Sequence, residues 1–482
     1  MSEAATRSAT TSPDLLTSLD PLLREWLPRQ RWFAGKGRPV TGFALVAATE
    51  LLPVTVTAPL GLYHLLVRAH QPALQGPGDC YQLLIGVREA LPPRLAPALI
   101  GHVDRGPLTG RTVYDALYDA RPADVLLEAM RTRARIGALR FDREPDPADG
   151  GGDKAGAGDA GGRIRAGLVA RVVTAEQSNS SIVYGDTYIL KLLRRVIPGV
   201  NPDLELPLAL AREGCPRVPA PVAWIHADAP EAGGGAEDSA EGYVLGVLQP
   251  FVRGASDGWE LALRELAKGE DFSEEARALG RATAEVHLAL ARALPTVTLG
   301  HAQLRPLVDG MTERLEAAVQ AVPALHPYAP GLRSAYEALA DLAAEGQTWT
   351  AQRIHGDLHL GQCLRSPSGE WSLIDFEGEP SKPLAERRLP QPVARDIAGM
   401  LRSFDYAAHS LRPHHPGWAA VCRAAYCAGY SEASGRDPRT DPVLLRAYET
   451  DKAVYEVVYE ARHRPDWLPV PMSAVRRLAA PG

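Results

Sequence analysis

What this chain lacks narrows its function first. It has no basic surplus: 52 Lys and Arg stand against 58 Asp and Glu, a formal net charge of −6 over 482 residues. Proteins that hold nucleic acid or an anionic membrane through phosphates carry the opposite balance, so neither partner is expected. Cysteine is scarce, at 5. Cys80, Cys215, Cys363, Cys422 and Cys427 are scattered, with no ligand-spaced cluster, so neither a disulfide framework nor a zinc site is indicated. No apolar run approaches the ~20 residues of a membrane-crossing helix. Residues 1–20 are polar and lack the apolar centre of a leader peptide, which points to a soluble cytoplasmic protein. A hydrophobic content of 45% is nonetheless enough for a large core, and the length suggests two to four domains or subdomains.

What is present is concentrated in one stretch: His355-Gly356-Asp357-Leu358-His359-Leu360-Gly361-Gln362, followed by Ile374-Asp375-Phe376. Ser366-Pro367-Ser368-Gly369 between them is turn-forming, so the segment reads as a loop, a tight hairpin and a buried strand that delivers Asp375 to the loop. Phosphoryl transfer from ATP needs these groups: a carboxylate to orient the acceptor hydroxyl and take its proton, and oxygen ligands to hold Mg2+ against the phosphates. Asp357 fits the first role, Gln362 and Asp375 the second. Each residue alone is ordinary turn chemistry; the joint pattern, with an apolar lead-in to each motif, is specific. It resembles the catalytic loop and metal motif of the kinase-like phosphotransferases, the aminoglycoside and choline kinase group. Most of that group has Asn where Gln362 stands.

Upstream lies a pattern suited to a nucleotide. Leu168–Val173, Ile182–Tyr184 and Thr187–Leu193 read as strands, with Gly185-Asp186 a tight turn. The polar turn Glu176-Gln177-Ser178-Asn179-Ser180-Ser181 offers backbone N–H groups and the hydroxyls of Ser178 and Ser180 to phosphates. Lys191 sits amid Ile189, Leu190, Leu192 and Leu193, where an ammonium is costly unless it reaches an anion. Asn201-Pro202 opens a helix as N-cap and first residue, and Glu205 or Glu213 is the expected partner of Lys191. The strand Tyr243–Pro250 runs into Phe251, and Gln249 and Phe251 are placed at an adenine-contacting hinge.

At the start, Leu15 to Leu27 recur at helical spacing. The basic, aromatic run Gln30–Arg38 is read as a helix end whose aromatics plug a core, in preference to an active-site contact. Phe43–Leu52, Tyr63–Ala69 and Tyr81–Val87 read as strands. Val113–Ala120 and Asp124–Gly137 read as helices. Residues 143–163 and Asp228–Gly242 are Gly-, Ala- and acid-rich and read as solvated inserts. The literal G-x-G-x-x-G at Gly156–Gly161 is a decoy, with no apolar strand before it. After the hinge the chain turns helical: Gly258–Leu266, Ser273–Leu290, Pro306–Val319, Pro330–Ala344, Val393–His409, Gly417–Ser431 and Asp441–Arg462. In the last of these, Lys452, Tyr455, Glu456 and Tyr459 share one face at offsets 0, 3, 4 and 7. Tyr rings suit pyranose faces, and Lys and Glu suit hydroxyls. The bland alternative is a face of snorkelling side chains.

Glu176–Lys191, Val196–Glu205, His355–Gln362, Ile374–Pro380, Arg395–Ala407, Asp451–Pro471 and Gln30–Gly37 together resemble the actinobacterial maltokinases. The resemblance implies an α+β, bilobal protein-kinase-like (aminoglycoside phosphotransferase-like) fold with an N-terminal cap subdomain. We expect a cap at 1–108, a nucleotide lobe at 109–255 and a helical lobe at 256–482. It implies phosphorylation of maltose at its anomeric hydroxyl by ATP and Mg2+, feeding alpha-glucan synthesis, with trehalose synthase as a partner. It assigns Asp357 as base, Gln362 and Asp375 to magnesium, Lys191 to phosphates, and Lys452, Tyr455 and Tyr459 to the sugar; Glu456, on the same helix face, and His355 are expected to contact the sugar as well. The family shares Gln at position 362. The rival readings are a kinase of another sugar, such as glucosamine, whose ammonium Glu456 or Asp405 would meet, and a non-catalytic nucleotide-binding scaffold. Intact Asp357, Asp375 and Lys191 argue against the scaffold.

Overall fold

The computed structural model describes residues 12–54, 60–72, 78–145, 164–173, 178–228, 241–379 and 382–480. The decoy glycine run and most of both Gly-rich inserts lie outside them. The chain divides into two compact units, Met1–Leu204 with Pro221–Phe251, and Glu205–Ala220 with Val252–Gly482. The cap and the nucleotide lobe, expected to meet at 108/109, both fall in the first unit.

That unit begins with α1 (Ser12–Trp26), whose Leu15, Leu19 and Leu23 recur every fourth residue and are buried. They share a core with one face of an antiparallel sheet of β1 (Gly42–Leu52), β2 (Gly61–His70), β3 (Cys80–Arg88), β4 (Leu99–His102) and β5 (Thr112–Asp115), ordered β1-β2-β3-β5-β4. The Gln30–Arg38 segment does plug this core. Phe33 is buried against Tyr81, and Trp32 lies 4.7 Å below the Arg194 guanidinium. The expected helix at Val113–Ala120 is instead β5 and a short 3-10 turn. All four β5 residues, Thr112 and Asp115 included, are buried, and a short segment buried on every side has no period to separate strand from helix. The helix α2 (Ala120–Thr132) starts only after Asp119, whose carboxylate caps the Arg121 N–H.

The second sheet of this unit contains β6 (Arg135–Ile136), β7 (Leu139–Arg143), β8 (Ala170–Val173), β9 (Ser180–Tyr184), β10 (Tyr188–Leu192), β12 (Ala223–Ala227) and β13 (Tyr243–Pro250). Their order is β6-β7-β12-β13-β10-β9-β8, while β11 (Arg195–Val196) pairs with β3. Gly185 and Asp186 both take left-handed backbone at the β9–β10 turn, as the tight-turn reading requires. Gln82 joins the two sheets. Its buried amide donates to the carbonyls of Leu193 and Leu245 at 2.8 Å each. The helix α3 (Pro202–Arg212) follows β11 in sequence.

The second unit is built on α4 (Gly258–Lys268), α5 (Ser273–Ala293), α6 (His301–Ala321), α7 (Ala329–Ala344), the short α8 (Leu384–Arg387), α9 (Ala394–His409), α10 (Pro416–Ser434), α11 (Pro442–His463) and α12 (Pro469–Ala479). α12 was not read from the sequence. The α5–α10 crossing is close because glycines face backbone: a Cβ on Gly280 would strike the Tyr426 carbonyl, and one on Gly429 the Arg277 carbonyl. The central hairpin is observed, with Cys363–Arg365 paired to Trp371–Leu373 and Cys363 opposite Leu373.

Candidate active site

The loop His355–Gln362 is fixed from beneath by one face of α9. The buried Asp396 carboxylate accepts the backbone N–H groups of His355 and Gly356, each at 2.8 Å, and bonds His287 Nε2 at 3.0 Å. One turn on, a Cβ on Gly399 would stand 2.6 Å from the Leu358 carbonyl oxygen, so glycine lets α9 approach the loop. A further turn on, Ser403 Oγ accepts the Leu360 N–H at 3.0 Å. Positions 396, 399 and 403 lie on one helical face. Together they determine the path of the backbone that carries Asp357. Burial would raise the Asp396 pKa, but His287 and the loop amides outweigh it and the carboxyl lies below its ordinary value.

His355 does not face a sugar. It is 1% exposed, its Nε2 bonds the Ile374 carbonyl oxygen at 2.9 Å, and its ring packs on Phe376 at 4.7 Å. The substrate-contact reading of His355 is therefore corrected. The imidazole ties the loop to the strand that delivers Asp375. Asp375 itself has φ +66°, left-handed backbone that is costly for a non-glycine residue and recurs at functional sites. Gln362 Nε2 meets Asp375 Oδ2 at 2.8 Å. Turned about its terminal bond, that amide presents its oxygen beside the same carboxylate. A carboxylate and an amide oxygen at one point form a hard-donor set that fits Mg2+.

Asp357 lines a cleft whose empty space, open solvent included, is about 510 Å³. Its lining includes Arg314, Glu379, Lys382, Arg395, Asp451, Lys452 and Tyr455. Arg314 grips Asp451 with two bonds of 2.9 and 3.0 Å, and Arg395 bonds Glu379 at 2.9 Å. Lys452 Nζ sits 3.1 Å from Asp357 Oδ1. Burial pushes the Asp357 pKa up, but Lys452, His359 and His355 pull harder, and the net shift is downward. Tyr455 and Tyr459 remain 37% and 42% exposed, with rings stacked at 6.3 Å. Glu456 departs from the expected stripe. It is buried and accepts Arg402 Nε and Nη2 at 2.9 and 2.7 Å, so it is corrected from sugar contact to internal counter-charge. Its pKa is raised, chiefly by burial.

In the first unit, Lys191 Nζ bonds Asp203 Oδ2 at 2.7 Å. The expected pairing with Glu205 or Glu213 is thus corrected to Asp203, the second residue of α3. Its N–H is capped by Asn201 Oδ1 at 2.8 Å. Glu205 instead meets Arg353 at 2.7 Å and Arg388 at 3.5 Å, and Glu213 meets Arg292 at 3.3 Å. Ser180 Oγ accepts Arg194 Nε at 2.8 Å, which occupies that hydroxyl with a structural partner. Ser178 is exposed and accepts Asn179 Nδ2 at 3.3 Å; Glu176 and Gln177 lie outside the described residues. The Phe251 N–H donates to the Thr187 carbonyl at 2.9 Å, so that amide is unavailable to adenine. Gln249 stands opposite Ile189 in the β10–β13 ladder.

Residues 169–439, more than half of the chain, match the model of the phosphotransferase enzyme family. The chain belongs to that family. Residues 26–119 match the maltokinase N-terminal cap domain. Among curated proteins, a glucosamine kinase of Streptacidiphilus jiangxiensis is 29% identical over 328 residues, covering 62% of this chain and 71% of its own. A glucosamine kinase of Mycolicibacterium smegmatis (strain ATCC 700084 / mc(2)155) is 28% identical over 333 residues, covering 65% and 80%. Among solved structures, a glucosamine kinase in complex with glucosamine, ADP and inorganic phosphate aligns with TM-score 0.64 at 22% identity, covering 95% of this chain and 98% of that one. A second crystal form of glucosamine kinase gives 0.66 at 23%, with the same coverage. That structural likeness is one of fold: α+β, kinase-like, with an N-terminal cap domain.

The residues missed from this phosphotransferase's sequence are Asp396, Gly399 and Ser403 under the loop, and Asp203 beside Lys191. The sequence carries only a partial signal, a polar and small-residue face at spacing three and four in α9 and an acid at the second position of α3, and neither says which group it meets.

Proposed function

We propose that this phosphotransferase transfers the γ-phosphoryl group of ATP to the anomeric hydroxyl of maltose, giving maltose 1-phosphate. The acceptor oxygen forms a bond to phosphorus, the bond to the ADP oxygen breaks, and the proton of the hydroxyl passes to Asp357. In the second unit, Gln362 and Asp375 would hold Mg2+, which supplies charge neutralisation for the phosphates. In the first unit, Lys191, steadied by Asp203, is the residue we assign to phosphate oxygens. Tyr455 and Tyr459 offer their exposed rings to the sugar. The N-terminal cap and the resemblance of the α11 segment to maltokinases support maltose. They also support a place downstream of trehalose synthase, in a route to alpha-glucan.

The observation that carries a neutral acceptor is the charge pairing of the cleft. Asp357 is engaged by Lys452, Glu379 by Arg395, Asp451 by Arg314, and Asp396 by His287 and the loop amides. Lys382 adds a cation that forms no ion pair among the described residues. An amino sugar would bring a further positive charge to a cleft whose carboxylates are already paired. The second reading, glucosamine as acceptor, draws on the curated relatives of that name. A coupled ADP-release assay with maltose, glucose, glucosamine and trehalose tests both. Maltose turning over fastest supports the proposal; glucosamine turning over fastest replaces it.

A further inference from the structure

We propose that Lys452 is a positioning residue for Asp357, its ammonium holding one carboxylate oxygen and so aiming the other at the acceptor hydroxyl. This rests on the reading of Asp357 as the base. A residue that served only to grip sugar would be expected to point its ammonium into the cleft. Instead it lies 3.1 Å from Asp357 Oδ1. Both groups are more than two-thirds shielded from solvent, so the pair is little screened. An oxygen bonded to a fixed cation loses its freedom to swing, leaving Oδ2 as the acceptor for a proton. The ammonium is itself placed from α11: Glu456, one turn on and locked by Arg402, and Glu379 across the cleft add negative charge around it. The groups facing Asp357 are Lys452 from α11 and His355 and His359 from its own loop. Burial opposes the Asp357 charge, and Lys452 and the two imidazoles favour it.

The test compares wild type, K452M and K452R. K452M keeps the length and apolar stem of the side chain and removes the charge. The expected result is a fall in kcat of about a hundredfold with the sugar KM changed by less than about threefold. K452R should recover at least about tenfold of that loss, because a guanidinium also holds a carboxylate oxygen. The carboxyl 13C signal of Asp357, identified by its loss in D357N, is titrated in substrate-free and metal-free protein. In K452M its midpoint should move up by about one pH unit. A K452M protein with intact kcat, a raised sugar KM and an unmoved Asp357 titration would overturn the proposal. If the wild type phosphorylates no sugar, the kinase reading fails by itself, and the 13C titration still decides whether Lys452 governs the Asp357 carboxylate.

Discussion

Asp396→Asn removes the charge under the active-site loop while keeping the side-chain shape. The carboxylate accepts three bonds at 2.8, 2.8 and 3.0 Å, two from loop amides and one from His287, and is 1% exposed. An asparagine keeps one oxygen and turns an NH2 toward at least one of those donors. Bonds to a charged acceptor contribute ~1.5–3 kcal/mol each, and a buried donor left without a partner costs ~1–3 kcal/mol. Losing one bond and stranding one donor therefore comes to about 3 kcal/mol, the lower end of what breaking a buried pair costs. The same change frees the backbone at His355 and Gly356, so Asp357 loses its position and kcat should fall by about a hundredfold or more. The sign with pH follows from the depressed carboxyl. The stabilisation is full above the unfolded pKa of ~3.9 and fades as pH falls through the lower folded value, so the gap between wild type and variant should close only in acid. Denaturant unfolding at pH 7 and pH 3 measures it, with turnover at pH 7 as the second readout. A variant within 0.5 kcal/mol (about the scatter of a neutral surface change) that keeps its kcat would refute the account of α9 as the loop's support.

Asp357→Asn should lower kcat by about 10²–10⁴-fold while ATP affinity, read by calorimetry, stays within about threefold; a near-normal rate would remove Asp357 from the base role. Tyr459→Ala strips one ring from the exposed stacked pair and should raise the sugar KM several-fold with the ATP KM unmoved. Equal effects on both would count against the α11 face as the acceptor platform. Glu456→Ala leaves Arg402, 1% exposed, with Asp405 at 2.6 Å as its remaining carboxylate partner among the described residues. We expect a loss of ~3 kcal/mol in unfolding free energy and, unlike Tyr459→Ala, little change in sugar KM. A raised KM at full stability would restore Glu456 to the sugar site.

β1, β2, β3, β8, β9, β10 and β13 of the first unit and the long helices of the second were legible from their apolar runs and the turns or caps at their ends, whereas β4 to β7, β11 and β12 were not. What could not be read was pairing over distance. Lys191 needed an acid, but which acid depended on the phase of α3: Asp203 and Glu205 are two residues apart and point to different sides of a helix. Glu205 sits where Arg353 and Arg388 reach it. Likewise the loop motif announced its own chemistry but not its support. Asp396 lies 39 residues after Asp357 in sequence, and nothing local distinguishes its carboxylate from one in solvent. In the sequence Ser180 and Phe251 suit the nucleotide because one is polar and the other lies at a strand end. Arg194 and Thr187 had already claimed them.

The stripe on α11 shows where a spacing rule needs an angle. At about 100° per residue, with Lys452 at zero, Tyr459 falls at about −20° and Tyr455 at about −60°. Glu456 falls at about +40°, on the opposite edge of the stripe. From Lys452 onward the other buried positions, Glu460, Ala453, Val457 and Val454, run from about +80° to +200°. Glu456 therefore borders the buried arc, whereas Tyr455 lies away from it on the open side. Offsets of three, four and seven place all four side chains on one face, yet that face is about 100° wide, and its two edges meet different surroundings. Lys452 lies between them and lines the cleft, with Glu456 to one side of it. That is why its ammonium reaches Asp357 from a bed of buried charge rather than from solvent.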